Sequence, residues 1–301
     1  MSIQKKLSAF IRRQQALLIC ASSPFATAYP PGHFHSPLPD SKEIELRESE
    51  LFDDRIRTCP GIDLNDEAQL KLFREFVTYY EDVPFAEEAT SGRRYHFQNA
   101  FFSYGDSIIL YSFLRHFKPK RVVEVGSGFS SAVMLDTSSE FLDQQPAFTF
   151  IDPNPERLHG LLSPEDERTC EILDVPVQRV GLERFGELGE GDVLFIDSSH
   201  VVRIGSDVSY LVFEVLPSLA RGVIVGIHDI LWPFEYPREW LRRGYAWNEA
   251  YLLRSFLQYN DTFEVLYYND YFAKKFGDEV HQHMPLIERD PGGTLWLRKK
   301  R

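Results

Sequence analysis

The five residues Glu124-Val125-Gly126-Ser127-Gly128 limit what this 301-residue chain can fold into more than any other stretch. They follow the β-branched run Arg121-Val122-Val123 and precede Phe129-Ser130-Ser131-Ala132-Val133, so a strand ends in a glycine turn that opens directly into a helix. Such a turn aims backbone N–H groups at an anionic part of a ligand, and its glycines let that ligand come close to the main chain.

Beyond this unit the pattern alternates strand and helix, which predicts a mostly parallel sheet covered on both faces. Strands are expected at 121–125, 147–151, 177–180, 193–196 and 223–227. Between the last two, Asp207 to Leu219 carries Val208, Leu211, Val212, Val215 and Leu219 at helical spacing, and Arg221-Gly222 closes the segment. A further helix spans Asn248 to Gln258. The runs Phe263 to Tyr268 and Thr294 to Arg298 then read as strands with no clear helix between them, an antiparallel closing pair. Upstream, Leu70, Phe73, Val77 and Tyr80 share one face of a helix over 65–80, with Asn65 or Asp66 as its N-cap. A second helix, Asp106 to Phe117, stops before Pro119 and leads into the first strand.

The first 40 residues read as a leader and a linker, the linker being the stretch from Tyr29 to Asp40 with Pro30, Pro31, Pro37 and Pro39. Lys5, Lys6, Arg12 and Arg13 ahead of the apolar run Ala16 to Ala21 loosely imitate a signal peptide, but Ser22, Ser23 and Pro24 break that run. Residues 41–100 are expected to form a helical segment packed on a main domain at 101–301. No stretch reaches the ~20 apolar residues of a bilayer span. A net charge of -12 repels phosphate backbones and anionic lipid, which disfavours nucleic-acid and membrane-surface substrates. Cys20, Cys59 and Cys170 match neither a zinc pattern nor a disulfide framework, which suits a reducing cytoplasm.

The acid at 124 and Ser131 in place of a third glycine weigh against a dinucleotide, because Glu124 would repel a pyrophosphate yet accept hydrogen bonds from an amino group. S-adenosylmethionine satisfies both demands. With five strands, an acidic glycine turn and a closing pair, residues 95 to 301 resemble the class I S-adenosylmethionine-dependent methyltransferases. Phe195-Ile196-Asp197-Ser198-Ser199-His200 with Ile227-His228-Asp229-Ile230 looks more narrowly like the bacterial small-molecule O-methyltransferase-like group. The resemblance implies a Rossmann-like α/β sheet of seven strands, mostly parallel with an antiparallel last strand, and an N-terminal helical extension. It places the cofactor across the carboxyl ends of the first, second and fourth strands.

On that reading Glu124, Gly126, Ser127, Gly128, Ser130 and Ser131 hold the amino-acid end of the cofactor, Asp152 takes its ribose hydroxyls, and Asp197 borders it. Gly181-Leu182-Glu183 lies where the family packs adenine, and Tyr104-Gly105-Asp106 is a segment the family draws over the methionine end, although Asp106 also suits a plain N-cap. The tips of neighbouring strands bring Asp197, His200, His228 and Asp229 to one point. Asp197, His228 and Asp229 suit a divalent cation such as Mg2+; without one, His200 or His228 serves as general base. Trp232, Phe234, Tyr236, Trp240, Tyr245 and Trp247 suit either an acceptor pocket or a core. His281-Gln282-His283 reads as a solvated loop.

The expected activity is methyl transfer to a hydroxyl of a small molecule or glycan, in a chain compatible with a homo-oligomer. An NAD-dependent oxidoreductase and a non-catalytic assembly module of a surface-polysaccharide system are the rivals.

Overall fold

The computed structural model describes residues 11, 14, 15, 18, 29–53, 55 and 58–301, so most of the expected leader lies outside the described residues. The chain divides into two compact units, Met1–Arg55 and Ile56–Arg301. In the first, the Asp40 side chain caps the short helix Ser41–Leu46 by accepting from Lys42 N–H, and a second short helix, Glu48–Leu51, follows.

The second unit is built on seven strands: β1 Arg121–Val125, β2 Ala147–Ile151, β3 Glu171–Leu173, β4 Val193–Ile196, β5 Ile224–Ile227, β6 Phe263–Tyr268 and β7 Leu295–Lys299. Their spatial order is β3-β2-β1-β4-β5-β7-β6. β1 to β5 run parallel, and β7 inserts antiparallel to both β5 and β6. Residues two apart go to the same side, as strand geometry requires. Val123, Val125, Leu194, Ile196, Val225 and Ile227 enter one core. Val122, Phe148, Phe150, Val193, Phe195 and Ile224 enter the other, where Trp296 lies flat on Phe113 with ring centroids 3.9 Å apart.

The register is what positions the site. Val125 pairs with both Ile151 and Ile196, and Ile196 pairs with Ile227, so four strands end level. One residue further on, Asp152, Gly126, Asp197 and His228 therefore stand in a row along the carboxyl edge of the sheet. The ladder continues through them: Gly126 N–H donates to Ile151 O at 2.9 Å, Asp197 N–H to Val125 O at 2.8 Å and His228 N–H to Ile196 O at 2.9 Å. The strand order reverses between β1 and β4, where an open α/β sheet leaves a crevice for a ligand.

Three expectations are corrected. The third strand is Glu171–Leu173, whereas Val177–Arg179, set by Pro176, is a 3₁₀ turn beyond its tip. A three-residue edge strand, half-buried throughout, carries too little periodicity to stand out. Between β6 and β7 the chain forms helices Asn269–Lys275 and Gly277–His283 and a 3₁₀ turn Pro285–Arg289, so His281 and His283 are helical. Asp106 is not an N-cap; Ser103 holds that position in the helix Tyr104–Phe117, and Asp106 is buried in its first turn.

The Asp66–Tyr80 helix buries Gln69, Phe73 and Phe76, a face slightly rotated from the expected stripe. Asp207–Tyr210, a π turn at Leu211–Val215 and Leu216–Ser218 follow one another over the expected helical segment. Among the described residues no helix is long and apolar enough to cross a membrane.

Candidate active site

Two hollows open along the carboxyl edge of the sheet and share Gly126, Asp152, Asp197, Ser198 and Ser199. One, of about 340 Å³, is bounded by Pro176, Val177, Gln178, Arg203 and Asp207. The other, of about 540 Å³, is bounded by Phe101, Arg157, Trp240, Arg243, Tyr245 and Trp247, with His200, His228 and Asp229 also on its wall. Together they make one trough across the tips of β1, β2, β4 and β5.

The glycine turn is braced from behind. Gly126 has φ +78°, and a Cβ on it would lie 1.9 Å from the Asp197 carbonyl oxygen, so the ends of β1 and β4 meet only because the side chain is absent. Glu124 shares the parity of Val122 and points to the face covered by the helix Phe129–Phe141. There it is fully buried and accepts from Ser130 Oγ at 2.5 Å and from Ser131 Oγ. Ser131 Oγ in turn accepts the Gly128 N–H at 2.9 Å. Burial pushes the Glu124 carboxyl up to about 8, although the two hydroxyls act in the opposite direction.

Glu124, Ser130 and Ser131 thus fix the turn from beneath, and Gly126, Ser127 and Asp152 face the trough. Ser131→Ala would strip a partner from both Glu124 and Gly128, and we expect a loss of about 1–3 kcal/mol in urea unfolding. An unchanged midpoint would show that the brace carries no stability. At the tip of β2, Asp152 accepts from Ser127 N–H at 2.9 Å and Asn154 N–H at 2.8 Å, which orients its carboxylate at the junction of the two hollows.

At the other end, two imidazoles interlock with four carboxylates. His228 is buried; its Nδ1 lies 3.3 Å from Asp197 Oδ1 and its Nε2 3.3 Å from Asp106 Oδ2. Asp106 is fastened by Gly293 N–H, Thr294 N–H and the Asn269 amide. His200 Nδ1 lies 2.9 Å from Glu249 Oε2, while its Nε2 faces Asp197 Oδ1 at 3.4 Å and Asp229 Oδ2 at 3.6 Å.

Burial disfavours the charged imidazole of His200, but Asp197 and Glu249 outweigh it and raise the group to about 10. Burial likewise opposes the charge on His228, and Asp229, Asp197 and Asp106 raise it well above the ordinary value. Burial acts against the Asp197 carboxylate too, yet the two imidazoliums hold it well below the usual carboxylate range. For Asp229 and Glu249 burial prevails and the carboxyls rise. Both His200, at φ +59°, and Asp229, at φ +57°, occupy the left-handed region, a backbone cost that recurs at functional sites.

The structure brings Asp197, His200, His228 and Asp229 together as expected. It does not arrange them as a cation centre: among the described residues no group of three or more His, Cys, Asp or Glu is set to hold a metal ion. The physical reason is that His228 and His200 turn their ring nitrogens onto the carboxylates as ion pairs. Leu182 and Glu183 open a short helix outside both hollows, whereas Pro176, Val177 and Gln178 line the smaller one. Tyr104 and Gly105 also stand off the trough, with Tyr104 Oη donating to Glu87.

The aromatic stretch divides in two. Trp232, Phe234 and Tyr236 are core, and Trp240, Tyr245 and Trp247 line the larger hollow. Sequence reasoning missed Glu249, Arg157 and Arg243. Glu249 stands in the first turn of a helix, where an acid is ordinary, so its position in the sequence did not mark it.

Asp152, Asp197, Asp207 and Asp229 along the trough repel a pyrophosphate and suit a ligand carrying a sulfonium and an ammonium group, with Pro176 and Val177 as an apolar rest for a base. S-adenosylmethionine fits these residues and NAD does not. A family model described as a methyltransferase domain matches residues 123–230. An uncharacterized protein of Archaeoglobus fulgidus is 37% identical over 169 residues, which cover 54% of this chain and 74% of that one.

Among solved structures, the S-adenosylhomocysteine-bound Podospora anserina methyltransferase PaMTH1 is similar at 15% identity and a TM-score of 0.42, covering 88% of this chain and 99% of that one. The O-methyltransferase TomG from Streptomyces achromogenes is similar at 12% identity and a TM-score of 0.42, covering 86% and 96%. These two scores are too low for any argument about acceptor or mechanism. On the sheet order, the acidic trough behind a glycine turn, the domain match and the archaeal relative, the chain belongs to the class I S-adenosylmethionine-dependent methyltransferases.

Proposed function

We propose that this methyltransferase acts on a hydroxyl oxygen of a small molecule or glycan, and that His200 takes the proton. One observation carries the reading: His200 has one ring nitrogen fixed by a buried carboxylate, Glu249 at 2.9 Å, a shorter contact than any His228 makes, and its other nitrogen is turned to Asp197 and Asp229 on the wall of the larger hollow. Both nitrogens of His228 are engaged, by Asp197 and Asp106, which suits a part that positions Asp197. Glu249 is then the positioning residue that orients His200, by the logic of an acid–imidazole pair.

S-adenosylmethionine supplies an electrophilic methyl group, and its positive charge favours the neutral imidazole. With the cofactor bound, Nε2 of His200 would accept the hydroxyl proton as the acceptor oxygen takes the methyl group, so the products would be a methyl ether, an imidazolium and S-adenosylhomocysteine. Asp152 and Ser127 on the turn side, with Pro176 and Val177 beyond, are the residues that would hold the nucleoside. Holding donor and acceptor in attack geometry contributes most of the acceleration. Free Cys59 and Cys170 support a reducing, cytoplasmic setting.

Calorimetric titration of the intact chain with S-adenosylhomocysteine should give a one-site isotherm with micromolar affinity, about −8 kcal/mol. No heat and no thermal shift from a folded sample would remove the reading. Binding with no turnover on any hydroxylated acceptor would favour a non-catalytic module.

A further inference from the structure

We infer that the acceptor is a planar hydroxylated molecule carrying an acidic group, selected by Arg243; the inference rests on the methyl-transfer reading above. The larger hollow has two guanidinium groups on its wall. Arg157 is committed to the glycine turn: its guanidinium lies over the Phe101 ring at 3.8 Å, and a Cβ on Gly128 would meet its Cδ at 2.9 Å. It stands over the end of the trough given to the amino-acid part of the cofactor.

Arg243 is on the opposite wall, just past the helix Arg238–Arg242. Within that helix Arg238 and Arg242 both pair with Glu239, at 3.3 and 3.1 Å. Among the described residues Arg243 forms no ion pair, although it is the arginine of the three that faces the hollow. A cation left without a carboxylate on the wall of a binding hollow is complementary to an anionic ligand group. The local charge matters here because the net charge of -12 would otherwise repel such a ligand.

The neighbouring side chains specify a flat partner. Tyr245 lies parallel to Trp247, with centroids 4.9 Å apart and an interplanar angle of 14°, and Trp240 meets Trp247 edge-on at 5.1 Å. Trp247 also lies 4.4 Å from the His200 ring, so the aromatic wall runs from Arg243 to the proposed base. A ring resting on this wall with its acid group at Arg243 directs a ring hydroxyl toward His200.

The test uses the S-adenosylhomocysteine-saturated chain, titrated calorimetrically with 3,4-dihydroxybenzoate and, separately, with its methyl ester. The acid should bind roughly 10-fold or more tightly than the ester. Arg243→Gln should abolish that preference while S-adenosylhomocysteine affinity stays unchanged, and Arg243→Lys should keep part of it. Equal binding of acid and ester, binding of neither, or a preference that survives in Arg243→Gln would overturn the inference. Failure of S-adenosylhomocysteine itself to bind is the separate result that removes the underlying reading and this one with it.

Discussion

Gly126→Ala should yield a protein that binds no measurable S-adenosylhomocysteine and unfolds at a clearly lower urea concentration. The added Cβ would sit 1.9 Å from the Asp197 carbonyl oxygen, on a backbone with φ +78°. A left-handed non-glycine residue costs roughly 1–2 kcal/mol and an overpacked contact a further 1–3, so about 2–5 kcal/mol is expected. The obstructing atom is backbone in the residue that joins β4 to the cleft, so relief requires the tips of β1 and β4 to separate. That movement displaces Asp197 from both imidazoles. Gly92 is the control: its φ is +85°, but no atom lies within 4 Å of its would-be Cβ, so Gly92→Ala should show only the backbone cost. If the two variants unfold alike and both bind the product cofactor, the contact at Gly126 is not what shapes the turn.

Asp197→Asn should lower kcat by about 10²- to 10⁴-fold, the range spanned by loss of a working general base, because the His200 imidazole loses the carboxylate that faces its proton-accepting nitrogen. Asp197 faces both imidazoles, at 3.4 and 3.3 Å, closer than Asp229 at 3.6 and 3.9 Å, and its side chain is 34% exposed to the cleft. The sign of the pH dependence follows from His200. Its imidazole is raised to about 10, so at neutral pH the neutral, proton-accepting form is the minority species. The kcat/KM of the native enzyme should therefore climb about tenfold per pH unit and level off only near the top of that range. An amide at 197 cannot stabilise the imidazolium, so the ascending limb should move toward lower pH even as the plateau falls. A purely structural role would lower the plateau without moving the limb, and unchanged turnover would end the assignment.

The sheet was readable because its central strands are short β-branched or aromatic runs between turn residues. Arg121–Val125, Ala147–Ile151 and Val193–Ile196 all lie where periodicity puts them. β3 was not, since Glu171-Ile172-Leu173 alternates over too few positions, and the apolar Val177 beside Pro176 mimics a strand better than the strand does. Within the site, the residues one step past each strand could be found because register needs only the strand ends.

The direction of Glu124 was also available from parity: it alternates with Val123 and Val125, which face the other core. Glu249 and Asp106 were not available. Their partners His200 and His228 lie 49 and 122 residues away, and only the folded chain brings them within reach.

The insertion of β7 between β5 and β6 ties the imidazoles at the cleft to the antiparallel side of the sheet. Gly293 and Thr294, which lead into β7, secure Asp106 from 187 and 188 residues away, and Asp106 in turn secures His228. Displacing β7 would therefore unpair one edge of β5 and at the same time strip Asp106, and through it His228, of these anchors.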